Sequence, residues 1–119
     1  MEDSILVTIK KILGLSEEYT AFDLDILTHI NAAFSVLDQL GVGPEGGHFI
    51  VDDLGLWADI GLPPNQLNLV KTYIGLKVRM LFDPPSSGFV LTSMEKQIAE
   101  FESRLNMFRE VELDESVDS

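Results

Sequence analysis

Between Leu91 and Phe108 the apolar residues Leu91, Met94, Ile98, Phe101, Leu105 and Phe108 follow one another at steps of 3, 4, 3, 4 and 3. Residues three and four apart share one face of a helix, whereas a half-buried strand needs strict alternation, so this segment reads as a helix with a single apolar stripe. Lys96 and Glu100, and Glu100 and Arg104, stand four apart, the separation at which oppositely charged side chains meet on a helical surface. One stripe cannot bury itself. The rest of the chain has to supply the helices that cover it.

Three further segments do so. Residues 3 to 13 form an amphipathic pattern, with Asp3 or Ser4 placed to cap it, Ile5, Leu6, Ile9, Ile12 and Leu13 on one face, and Gly14 as its stop. Thr20-Ala21-Phe22-Asp23 has the form of a capping box, which predicts a second helix from about Ala21 to Leu40 with Ile26, Ile30, Ala33, Phe34, Leu37 and Leu40 inward and Gly41 behind it. Pro63-Pro64-Asn65 opens a third helix through Phe82, with Leu67, Val70, Ile74, Val78 and Leu81 recurring on the buried face. Asp83-Pro84-Pro85 closes it, because proline disfavours helical geometry in the residue before it. Gly75 lies inside this helix at an intrinsic cost of about 1 kcal/mol relative to Ala, and close helix packing is its simplest explanation. Between Gly41 and Pro64 the helical period is lost, and a loop-rich segment is expected with a short strand pair around His48 to Val51 and a turn of helix near Trp57. The fold class is therefore all-α: a compact bundle of about four helices with a loop-rich segment between the second and third. Residues 1–109 read as one domain and residues 110–119, with five acids and no periodicity, as a flexible, solvated C-terminal tail.

Composition narrows the chemistry. With 45% apolar residues in 119, the chain can bury a core large enough to offset its conformational entropy without a staple. The absence of cysteine removes disulfides, thiol nucleophiles and thiolate metal sites together. A formal charge of −12 argues against an outer surface that grips phosphates, since nucleic-acid affinity comes from Lys and Arg displacing counterions. Proteins are the expected partners. The apolar stretch from Ile5 to Leu13 is preceded by Glu2 and Asp3 and interrupted by Lys10 and Lys11, the wrong charge order for an export signal, and no run is long enough to cross a bilayer. A soluble, intracellular protein that does not engage membrane is expected.

Catalytic constellations are missing from the pattern. Gly41-Val42-Gly43-Pro44-Glu45-Gly46 spells G-x-G-x-x-G, but it follows a helix instead of a strand, Pro44 removes a donor, and Glu45 would repel phosphate, so it reads as a turn. His29 follows Asp25 by four residues on the second helix, the spacing of a surface pair. His48 precedes Asp52 and Asp53, a set that could ligate a metal if folded together, yet no established ligand spacing supports it. No serine occupies a nucleophile elbow. An enzyme is not expected, and no catalytic, cofactor-binding or metal-binding residue is assigned.

Two features point outward. Between Ile12 and Val70 there are nine acids and no Lys or Arg, whereas the third and fourth helices hold six of the eight bases. This is either an ordinary solubilising surface or the basis of head-to-tail association between copies. Phe49, Ile50, Val51, Leu54, Leu56 and Trp57 crowd into the loop-rich segment, where large apolar side chains either fold back onto the core or wait for a partner.

Several blocks, in this order and at these separations, carry a family likeness. They are Asp25-Ile26-Leu27-Thr28-His29-Ile30-Asn31, Leu40-Gly41-Val42-Gly43-Pro44, the run from Val70 to Pro85, Gln97-Ile98-Ala99-Glu100 and Arg104-Leu105-Asn106. The chain resembles, over about residues 4 to 108, the small head-tail connector proteins (head completion or portal adaptor proteins) of long-tailed bacteriophages and prophages, most specifically from Lys77-Val78-Arg79 to Asp83-Pro84-Pro85. The resemblance implies a compact all-α structural subunit that assembles in the host cytoplasm and ends in the virion. It further implies a homo-oligomeric ring, twelvefold to match the portal, which bridges the portal to a downstream connector or tail-completion protein and leaves a channel for DNA. An acidic channel wall would let DNA pass without specific binding. The candidate interface residues are Phe49, Ile50, Val51, Leu54 and Trp57 in the loop region and Phe82, Pro84 and Pro85 at the helix exit. The competing reading from charge is a small acidic protein that mimics DNA and inhibits a basic host protein.

Overall fold

A computed structural model describes residues 3–118, with side chains through residue 108. Its elements are α1 (Ile5–Ile12), α2 (Asp23–Gln39), a 3₁₀ turn (Trp57–Ile60), α3 (Pro64–Phe82) and α4 (Gly88–Asp118). No strand occurs among the described residues, and an isolated bridge between Ser4 and Leu56 is their β-type pairing.

Helix α1 is too short to persist alone and is held by its surroundings. Ser4 caps it, its hydroxyl accepting from Val7 N–H at 3.3 Å, and Ile5, Leu6, Val7 and Ile9 are buried. Gly14 takes a φ of +79°, and Leu15 N–H donates back to the Lys10 carbonyl, ending the helix as expected. Helix α2 starts at Asp23, and no side-chain cap forms there. The capping box from Thr20 is replaced by a longer-range contact: Asp23 pairs at 2.9 Å with Lys10, whose ammonium is 2% exposed and also donates to the Glu17 carbonyl. A buried cation needs a counter-charge more than a helix start needs a cap. The pair ties α1, the connector and α2 together.

Helix α3 has the bounds set by Pro64 and Asp83. It presents Val70, Tyr73, Ile74 and Val78 to the core, together with Gly75, where a Cβ would lie 3.0 Å from Ile12 Cδ1. Helix α1 thus crosses α3 over this glycine. Leu81, one turn before the exit, is instead exposed, because the stripe runs past the helices that cover it. Tyr73 replaces it as a major core side chain. Its hydroxyl donates to Glu102 at 2.7 Å, and burial followed by that carboxylate pushes its pKa well above the ordinary 10.0. Lys77 approaches the same carboxylate at 3.7 Å.

The core lies between α2, α3 and the two ends of the chain. Ile26, Ile30, Ala33, Phe34 and Leu37 from α2 meet the α3 face, and Ile98 and Leu105 of the α4 stripe close the other side of α3. The expected all-α bundle is what forms. Helix α4 continues to Asp118, beyond the Arg109 boundary suggested by periodicity. Its 31 residues span about 46 Å, a length comparable to the 50 Å long axis of the molecule.

The expected strand pair around His48 to Val51 does not form. Asn31 on α2 takes the place of a partner strand: its Oδ1 accepts from Ile50 N–H and its Nδ2 donates to the Ile50 carbonyl, both at 2.8 Å. One side chain satisfies both backbone groups, and no second strand is required.

Candidate interaction surfaces

The loop from His48 to Leu56 is fastened from two sides. Asn31 holds Ile50 from α2. From the start of the chain, Ser4 Oγ donates to the Asp53 carbonyl at 2.8 Å, Ile5 N–H donates to the Gly55 carbonyl at 3.0 Å, and Trp57 N–H donates to the Asp3 carbonyl at 3.0 Å. Trp57 Nε1 donates to Thr8 Oγ1, whose hydroxyl in turn donates to the Ser4 carbonyl. Gly55 permits this closeness, since a Cβ there would fall 2.6 Å from Ile50 Cγ2.

These fastenings sort the apolar loop residues. Ile50 and Trp57 are buried at 4% and 0% exposure, so these two fold back onto the core and support the loop from beneath. Phe49, Val51 and Leu54 point outward at 71%, 72% and 67% exposure. Asp52 and Asp53 stand exposed between them, and Asp52 Oδ1 accepts from Leu54 N–H. The result is a rigid apolar knob with an acidic surround. The sequence grouped all of these residues; only the backbone anchoring could separate the two classes.

The helix exit lies further along the bundle, at the end of α3. The loop is gathered beside the start of α1, the second half of α2 and, through Lys71 over the Trp57 ring at 5.5 Å, the first half of α3. Asp83 is 12 residues beyond Lys71, or roughly 18 Å along the helix. There Phe82 is half-buried with its ring 5.3 Å from Phe22, which in turn lies 5.8 Å from Tyr19. Pro84 is exposed and Pro85 half-buried, lining a shallow groove of about 420 Å³ with Arg79, Ser87 and Val90. Phe89 at α4's start and Leu81 at α3's end are exposed nearby in the chain, and Leu24 at α2's start is exposed two residues after Phe22. The two sets of expected interface residues therefore occupy separate parts of the surface.

The bases on α3 and α4 do not make an open basic face. Lys77 is engaged by Glu102, Arg104 is paired with Glu100 at 2.7 Å, and Lys71 is half-buried over Trp57. Among the described residues Arg79 and Lys96 remain exposed on these helices outside any ion pair. The sequence showed where the bases were but not that their charge is largely spent inside the chain.

The histidines sit apart from one another in role. His29 is half-buried on α2, and no ion pair joins it to Asp25 among the described residues. His48 packs edge-on to Phe34 at 5.0 Å between ring centroids, and its Nε2 is enclosed without a hydrogen-bond partner. Among the described residues, no group of three or more His, Asp or Glu gathers that could hold a metal ion. The G-x-G-x-x-G run turns through positive φ at Gly41, Gly43 and Gly46. It stops α2, with Val42 N–H donating to the Leu37 carbonyl, and leads to no helix N-terminus that could face a phosphate. No described helix is long and apolar enough to cross a membrane.

A family model described as phage connector protein matches residues 5–112. No curated protein and no solved structure matches.

Proposed function

The chain belongs to the phage connector protein family, and from that premise we propose that it is a ring-forming subunit seated beneath the portal vertex, bridging the DNA-filled head to the tail. The family match over residues 5–112 is the observation that carries this reading. The family is a structural one, and its members work with portal and tail proteins as components of the virion. The separation of the two surfaces supports a bridging role. Phe49, Val51 and Leu54 form one contact surface, backed by Ile50 and Trp57, and Phe82, Pro84 and Pro85 form part of the other.

Copies arranged around a portal of cyclic symmetry form a closed ring through a repeated heterologous contact. A twelvefold ring matches the portal, with DNA passing along its axis. The acidic excess of the chain repels phosphates and lets the duplex slide through such a channel without adhering. Residues 110–119 act as an acidic tail to the domain formed by residues 1–109. The test is to mix the purified chain with the cognate portal and to record native mass and images. Rings bound to portal particles are expected, and a chain that stays monomeric and never joins the portal refutes the proposal.

A further inference from the structure

We propose that the Phe49–Leu54 loop of one copy docks into the cleft formed by Leu69, Met107 and Phe108 beside Arg104 on the next copy. The inference rests on the connector reading and deepens it by naming the two surfaces that join neighbouring subunits.

The inserting surface is already set. Phe49, Val51 and Leu54 fall within six residues and each is at least 67% exposed, whereas the backbone between and behind them is fastened to Asn31, Ser4 and Ile5. A loop already held in one conformation loses little entropy when it binds. Apolar side chains set on such a frame act as anchors for a matching pocket.

The receiving surface lies between α3 and α4. Leu69, Arg104, Met107 and Phe108 line an open cleft of about 340 Å³ that is apolar apart from the guanidinium. Met107 is exposed, and Leu69 and Phe108 are half-buried. Leu105 is buried in the core and the Tyr73 hydroxyl is bonded to Glu102, so the helices that form the cleft are tied together close to it. The loop, by contrast, is fastened to α2 and to the start of α1, and none of its residues lines the cleft. Its apolar side chains stay exposed, so a chain does not fill its own cleft. Two different patches of one chain pair head to tail, the heterologous arrangement that closes into a ring when the rotation permits.

Charge selects this cleft over other depressions of the same chain. Asp52 and Asp53 are exposed on the loop and in no ion pair among the described residues. The groove at the helix exit has Asp83 in its wall, the depression beside His48 has Asp38, and the one between Gly41 and Pro63 has no base. The charged residue in the wall of the proposed cleft is Arg104. Helix α3 contributes no Asp or Glu, and Lys96, Glu100 and Arg104, four apart along α4, leave one positive charge in excess. The Arg104–Glu100 pair lies on the surface with both side chains more than half exposed. Such pairs hold weakly, and a guanidinium has donors to spare for Asp52 or Asp53 of an incoming loop. Each copy carries a formal charge of −12, which opposes approach at long range, so the apolar fit holds the copies and the local base decides where the loop lands. This assignment leaves the helix exit for a neighbour above or below the ring, so ring closure and bridging use separate parts of the subunit.

The chain has no cysteine, which gives a clean background for cross-linking. Leu54→Cys and Met107→Cys, both at exposed positions, are made as separate full-length proteins, mixed with and without the purified cognate portal, and treated with a short thiol-to-thiol cross-linker. Peptide mass spectrometry is expected to find a link from position 54 of one copy to position 107 of another. A second arm uses a loop variant, Phe49→Ser with Leu54→Ser, and a cleft variant, Arg104→Glu with Met107→Ser, whose folding is checked by thermal melts. Native mass and imaging should show assembly reduced about tenfold or more for either variant alone. Mixed together they should form pairs, because one keeps its cleft and the other its loop. The inference is overturned, with the connector reading intact, if wild type forms rings but the two positions do not link and both variants assemble like wild type. A link from position 54 to the portal in place of a second copy also overturns it. If wild type assembles neither alone nor on the portal, the connector reading itself fails and takes the inference with it, an outcome separate from the other two.

Discussion

Replacing Asn31 tests whether one side chain does the work of a missing strand. Its amide makes two hydrogen bonds with the backbone of Ile50, each 2.8 Å long, and each such bond contributes about 1 kcal/mol net. Ile50 is 4% exposed, so Asn31→Ala also leaves its N–H and C=O short of partners. Asn31 itself is half-buried, and water can reach part of the vacated space. Each of the two stranded groups therefore costs about 1.5 kcal/mol, in the lower half of the usual 1–3 kcal/mol that replaces the bond's net worth, and the total comes to about 3 kcal/mol. For a chain of 119 residues, an unfolding entropy of about 2.1 cal/mol/K per residue converts this into a drop in melting temperature of roughly 12 °C. Asn31→Asp isolates the cause, because it keeps the shape and the acceptor for Ile50 N–H but sets a carboxylate oxygen against the Ile50 carbonyl. It should destabilise at least as much as Ala, measured by calorimetry, and amide exchange at Ile50 should accelerate in both variants. An Asn31→Asp protein that melts within 2 °C of wild type (roughly 0.5 kcal/mol on the same conversion) with an unchanged Ile50 amide would refute the account.

Two further outcomes follow from the same contacts. Tyr73 keeps its proton in the folded chain to higher pH than the ordinary 10.0, first through burial and then through its bond to Glu102. Above that ordinary value the unfolded chain loses the proton and the folded chain retains it, so stability is fully present below pH 10 and declines as pH rises past it; denaturant titrations from pH 8 to 11 should show this decline, and Tyr73→Phe should flatten it. Gly55→Ala forces a Cβ to within 2.6 Å of Ile50 Cγ2, and the overpacking should cost about 1–3 kcal/mol in urea melts, with a larger loss of protection at Ile50 than in α3; an unchanged midpoint would show that Ile50 moves aside freely.

The parts of the fold governed by short-range rules were legible. The Pro63-Pro64 entry and the Asp83-Pro84-Pro85 exit bound α3 as read, Ser4 caps α1, and Gly41 stops α2. Ile98 and Leu105 from the α4 stripe reach the core. What escaped the reading depends on partners far along the chain. Asp23 forms no cap because Lys10, 13 residues earlier, claims it. Asn31 gives no periodic signal, and its partner is 19 residues away. Tyr73 could have been found from its place three residues after Val70 on the buried face, but Glu102, which makes its hydroxyl tolerable there, lies 29 residues further on. The loop was flagged as rich in apolar side chains, and its division into buried Ile50 and Trp57 and outward Phe49, Val51 and Leu54 follows from hydrogen bonds to Asp3, Ser4, Ile5 and Asn31 that leave no trace in composition.

The separation of the outward loop from the helix exit has a consequence for how such a chain can change over time. One surface comes from residues 45–54, the other from residues 17–25 and 79–90, with no residue in common. On the proposed bridging role, substitutions that retool one contact leave the other intact, so lineages could exchange the protein on one side while keeping the neighbour on the other. Rows of Ile, Val and Leu in α2 and α3 are the shared keel that neither exchange touches.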